Sequence, residues 1–166
     1  MFILAICNNQ TFKNIHESAK INPVLAATDA HYAYLYANDI LKSSFPLGEP
    51  AIATNAYWSV EYTKNVLNGN RFELGEKTIA LSDYFSYVYA TILQQRFKLG
   101  EPVIANSTKY SYYYTIYVLK NPFPLGEPAI AKNSIFARDY THHVLKHDFY
   151  LNDKLICKFN PKMKFK

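Results

Sequence analysis

The chain has 166 residues, 49% of them hydrophobic and 19% charged, so it can build a core, and wholesale disorder is excluded. The length suits one domain. The formal net charge is +5, but the excess sits in residues 154–166, which hold five lysines and no acid. The rest is balanced, so no basic face of the kind that folded nucleic-acid binders carry is implied.

At the N-terminus, Met1–Cys7 is apolar but lacks a basic flank and a small-residue cleavage site. It falls short of the ~20 residues a membrane span requires. The expectation is a cytoplasmic protein with no membrane partner. Cys7 and Cys157 both lie in apolar stretches and read as buried free thiols; a disulfide between them would need an oxidising compartment. Thr11–Ala19 is predicted helical, with Phe12, Ile15 and Ala19 on one side, inside an N-terminal cap over residues 1–20.

Residues 21–148 are repetitive. Phe-x-Leu-Gly-Glu begins at Phe45, Phe72, Phe97 and Phe123, and a worn copy begins at Phe149, where Leu151-Asn152-Asp153 replaces Leu-Gly-Glu. Gly48, Gly75, Gly100 and Gly126 are 27, 25 and 26 residues apart. After the Glu come Pro50, Lys77, Pro102 and Pro128, then Ile52, Ile79, Ile104, Ile130 and, in the worn copy, Ile156. Proline at a first helical position loses no hydrogen bond, and the Glu beside it suits the helix dipole. Each unit therefore starts with a short helix such as 49–54. Asp29, Asn55, Ser82, Ser107 and Asn133 follow as N-caps of a longer helix.

Within the longer helix an aromatic residue (Tyr32, Trp58, Phe85, Tyr110, Phe136) precedes a small one (Ala33, Ser59, Ser86, Ser111, Ala137). A tyrosine comes four positions after the aromatic (Tyr36, Tyr62, Tyr89, Tyr114, Tyr140), and an aliphatic pair closes the stripe. Large residues beside small ones make a packing face. The third copy is one residue shorter between Tyr89 and Ile92, which predicts irregularity in its last turn. A unit like this cannot bury its face alone. The predicted fold is all-α: an α-solenoid of about five short helix–turn–helix repeats, with a C-terminal cap and basic tail over residues 149–166.

The unit resembles a short tandem helical repeat of uncharacterised proteins from tailed bacteriophages and some bacteria, whose copies read like GEPAIAKDPEYAYEYAKDVLKGRFP. The resemblance covers Asp29 to about Cys157. It implies a helical-repeat fold and a phage origin, with a host-encoded protein as partner, and it supplies no catalytic residue. This chain lacks the proline after the cap, and tyrosines replace charged residues.

The columns outside the packing stripe are expected to face solvent. They hold Tyr34, Tyr87, Tyr112 and Arg138, then Tyr113, and further along Tyr117; Tyr57 and Tyr84 lie nearer the caps. Tyrosine combines contact area with a hydrogen-bonding tip and is enriched at interfaces. These eight residues are the candidate protein-binding surface. The bland reading is that the rings cover grooves between helices. The alternative function is single-stranded nucleic-acid binding, with bases stacked on the tyrosines and phosphates held by Lys158, Lys162, Lys164 and Lys166. Asp139, His143 and His147 are spaced four apart and form a weak metal candidate, beside His142. No nucleophile elbow, phosphate loop or zinc-protease motif occurs, so no enzyme and no cofactor are expected. Self-association is left open.

Overall fold

The computed structural model describes residues 22–163. The chain forms two compact units, Met1–Ile79 and Ala80–Lys166. The N-terminal cap, Cys7, Lys164 and Lys166 lie outside the described residues.

In the first unit α1 (Pro23–Ala26) precedes α2 (Ala30–Leu35), which continues into a π-helical turn over Tyr36–Leu41. Then come α3 (Glu49–Ile52), α4 (Ala56–Asn65) and α5 (Glu73–Ile79). The second unit holds α6 (Asp83–Leu93), α7 (Glu101–Ile104) and α8 (Thr108–Tyr114) with a π turn over Thr115–Leu119. It continues with α9 (Glu127–Ile130) and α10 (Ser134–Tyr140), whose π turn covers Thr141–Leu145. The predominantly helical character matches the expectation, and all five predicted N-caps do cap. The side chains of Asp29, Asn55, Ser82, Ser107 and Asn133 accept first-turn N–H bonds, each worth ~1 kcal/mol.

The C-terminal cap departs from an all-α fold. Phe149–Leu151 (β1) and Lys154–Cys157 (β2) pair antiparallel. The cause is local: Asn152 and Asp153, standing where Gly-Glu would open a short helix, both adopt positive φ (50° and 60°). Two such residues make a hairpin turn whose twist matches its strands. Ile156 and Cys157, aligned by sequence with short-helix columns, are therefore strand residues, and Cys157 is half-buried with a free thiol.

The repeated motif becomes a recurring joint. Its phenylalanine is buried in every copy and lies against the tyrosine of the preceding long helix. Ring centroids are 5.0 Å apart for Tyr62 and Phe72, 4.9 Å for Tyr89 and Phe97, and 5.3 Å for Tyr114 and Phe123. The same residue's backbone N–H donates to the hydroxyl of the next copy's tyrosine: Phe45 to Tyr62 at 2.8 Å, Phe97 to Tyr114 at 2.9 Å, Phe123 to Tyr140 at 3.1 Å. Each of these hydroxyls donates in turn to the motif glutamate, Glu49, Glu101 or Glu127, at 2.8–3.1 Å. Motif and helix thus satisfy each other's buried polar groups, as burial demands. Among the described residues no buried side-chain nitrogen or oxygen lacks a partner.

The small residue of the long helix faces the motif glycine. A Cβ on Gly75 would come within 2.6 Å of the Ser59 Oγ, and one on Gly100 within 2.5 Å of the Ser86 Oγ. The serine hydroxyls donate to short-helix carbonyls, Ser59 to Ile52 at 3.0 Å and Ser111 to Ile104 at 2.8 Å.

The third copy is the regular one, contrary to expectation. Every long helix is closed by a left-handed, non-glycine residue at a strict 26-residue spacing: Lys42, Asn68, Gln94, Lys120 and Lys146. In four copies this residue follows the tyrosine by six positions, in the third by five. Six positions are one too many for an α-helical exit, and the surplus is taken up by π-type bonding. It appears as the three π turns and as the Leu67 N–H to Tyr62 carbonyl bond in the second copy. The third copy has no surplus, so α6 stays α-helical to Leu93. The second linker carries a compensating residue and spends it on Gly69 (φ 82°). Deleting Ile116, in the π turn after α8, is accordingly expected to leave a folded protein, at less than about 2 kcal/mol in urea denaturation. Deleting Ser111, upstream of Tyr114, moves that tyrosine off its partners and should abolish the cooperative transition.

Candidate functional site

The column expected to face solvent at Tyr34, Tyr87, Tyr112 and Arg138 is largely turned into the grooves between long helices. Tyr34 is only 8% exposed and stacks on Trp58 at 5.1 Å; its hydroxyl accepts from the Asn65 side-chain amide at 2.9 Å. Tyr87 stacks on Tyr110 at 5.4 Å, and Tyr112 packs on Phe136 at 5.1 Å. One rule covers all three: the ring two positions before the stripe tyrosine meets the first aromatic of the following long helix. Burial raises the Tyr34, Tyr87 and Tyr112 hydroxyls above the ordinary tyrosine range. Arg138 is half-exposed and paired with Asp139 at 3.0 Å.

Tyr57, Tyr84 and Tyr117 remain on the surface, at 47%, 48% and 53% exposure. In the second unit Tyr84 and Tyr117 join a continuous aromatic cluster across α6, α8 and α10. Tyr84 and Tyr87 approach Tyr110 at 5.8 and 5.4 Å. Tyr113 lies 6.2 Å from Tyr87, 5.9 Å from Tyr117 and 6.0 Å from Phe136. The Lys109 ammonium stands over the Tyr110 and Tyr113 rings at 5.2 and 5.9 Å, a cation–π arrangement. In the first unit Trp58 forms the equivalent centre, stacked on His31 at 4.4 Å and edge-on to Tyr57 at 4.6 Å. The sequence placed Tyr110 and Phe136 in the packing stripe, and it offered Lys109 as one of several cations available to the rings. The signal was present in the run Lys109–Tyr114, which is aromatic on several helical faces at once.

A second set of exposed residues was missed. Leu47, Leu74, Leu99 and Leu125, the leucines of the repeated motif, are all 52–58% exposed. The motif's Phe and Gly face inward, and the leucine between them points out.

The metal candidate does not form a helix face. The helical run ends at the left-handed Lys146, so His147 lies beyond it, and its Nδ1 is 2.8 Å from the Asp148 carbonyl oxygen. Among the described residues no group of three His, Cys, Asp or Glu side chains is placed to hold a metal ion. The tail lysines Lys158 and Lys162 are exposed. Shallow clefts of about 430 and 380 Å³ lie beside the hairpin and between the last two π turns.

The buried tyrosines make the fold sensitive to alkali. Burial, reinforced by the glutamate each one meets and opposed by the N–H it accepts, raises Tyr62, Tyr114 and Tyr140 far above the ordinary value near 10. The folded state holds these protons more tightly than the unfolded chain. Their contribution is therefore complete below about pH 10 and is lost as pH rises further. Part of the phenolate absorbance at 295 nm is expected to appear only together with loss of helical circular dichroism. A titration completed while helicity is intact would contradict this.

Among the described residues no helix is long and apolar enough to cross a membrane. No protein family, curated protein or solved structure matches the chain.

Proposed function

We propose that the chain is a non-enzymatic, protein-binding α-solenoid module that uses the tyrosine face of α6, α8 and α10. The observation behind this reading is the aromatic cluster itself. Tyr84 and Tyr117 are about half exposed at its two ends, and Tyr113 links them through Tyr87 and Tyr110. Rigid rings present large contact area at low entropic cost, and a few such anchors dominate protein interfaces. The recurring Phe–Tyr–Glu joint supports the solenoid, because each copy completes its neighbour's hydrogen bonds. The resemblance to phage repeats makes the partner a host protein, a defence component for example, bound and inhibited or redirected in the cytoplasm.

The test is affinity capture from host lysate, with and without nuclease. Replacing Tyr84, Tyr113 and Tyr117 together by serine should abolish recovery of a specific protein while helical circular dichroism is retained. Recovery that depends on nucleic acid and falls steeply with salt would favour the single-strand reading instead. No specific protein in either arm would overturn the proposal.

A further inference from the structure

The histidines after α10 lie in a π turn. His143 Nδ1 lies 3.0 Å from the Asp139 carbonyl and His142 Nδ1 lies 2.8 Å from that of Arg138. The other ring nitrogen of His142 has a partner as well. The Asn160 backbone N–H points at His142 Nε2 from 3.0 Å. An N–H can only donate, so Nε2 is the acceptor, and the proton of the neutral ring sits on Nδ1 and is given to Arg138 O. Phe159 packs its ring on the imidazole at 5.3 Å and donates its N–H to Asp148 Oδ1 at 2.8 Å. These contacts hold the start of the basic C-terminal segment, with exposed Lys158 and Lys162, against the helix end.

We infer that His142 is a proton-operated latch for this segment, closed when the ring is neutral and opened by a proton on Nε2. A second proton turns Nε2 into a donor facing a donor, and the Asn160 bond cannot survive. On its own helix Arg138 is matched by Asp139, whereas His143 and Lys146 are not counterions. The hairpin and tail bring Asp148, Lys154, Cys157, Lys158 and Lys162, and the preceding long helix brings Tyr113, Tyr117 and Lys120. Asp148, just before β1, accepts the Phe159 N–H through Oδ1. The opened segment presents its lysines as a free basic arm.

The experiment follows the whole protein by nuclear magnetic resonance between pH 8 and 5. In the native chain the Asn160 amide shift should move with the same midpoint as the His142 ring protons. The heteronuclear Overhauser effects of residues 159–163 should collapse to those of a flexible tail at the acid end. His142→Gln, whose side-chain oxygen can accept without titrating, should keep the segment ordered throughout. Asp148→Asn should leave the transition in place. An Asn160 amide that stays unmoved while His142 titrates overturns the latch, as does an unchanged acid transition in His142→Gln or its disappearance in Asp148→Asn.

Discussion

Tyr114→Ala is expected to destabilise the second unit by about 4 kcal/mol, enough to remove much of the stability of a small domain. The side chain is fully buried, so truncation leaves a cavity beside Phe123. It also orphans two polar groups at once, the Phe97 N–H and part of the Glu101 carboxylate. Tyr114→Phe separates these contributions. It keeps the ring and removes the hydroxyl alone, for an expected loss of about 1–3 kcal/mol. Glu101 retains Arg96, whose guanidinium meets it with a 2.9 Å bond from Nη2, so the Phe97 N–H should account for most of that loss. Urea denaturation followed by circular dichroism measures both. Equal midpoints for native protein and Tyr114→Phe would show that the relay through the hydroxyl contributes nothing.

Gly126→Val is expected to cost about 3 kcal/mol through overpacking. The backbone at Gly126 is right-handed, with φ −91°, so any residue could adopt it. The constraint is approach. A Cβ would lie 2.5 Å from Phe123 Cδ1 and 2.7 Å from Ser111 Oγ, well inside contact distance. Gly126→Ala should be milder than valine but still destabilising, and Ser111→Gly combined with Gly126→Ala should recover part of the loss. A stability for Gly126→Ala equal to the native value would show that the joint can open at no cost and would remove the steric account of the repeated glycine.

The local grammar was readable without coordinates. Caps, proline-led short helices and the fully buried Tyr62, Tyr89, Tyr114 and Tyr140 follow from side-chain chemistry and helical spacing. The candidate surface was readable only in part. Tyr117 is exposed as its column implied, and Tyr57 and Tyr84 near the caps are exposed too, but Tyr34, Tyr87 and Tyr112 share that aromatic character and fill grooves. Whether a ring two positions before the stripe tyrosine is free depends on where the next long helix passes, and its own helix does not contain that information.

Residue counting also has a limit at the helix ends. The sequence shows that the third copy is one residue short between Tyr89 and Ile92. Which copies are irregular depends on where the left-handed exits must stand for each motif phenylalanine to reach its neighbours. That requirement makes the shorter copy the plain α-helix and gives the longer ones their π-type turns. The same holds at the C-terminus, where Asn152-Asp153 looks like a degraded motif until its two positive φ angles turn it into a hairpin. By itself, then, the sequence determined the repeat, its helices and its buried aromatic columns, because these follow from cap chemistry and the spacing of side chains along each helix. The tertiary structure decided which tyrosines remain outside, where the π turns fall and how the tail docks on His142, because each depends on the position of a neighbouring element.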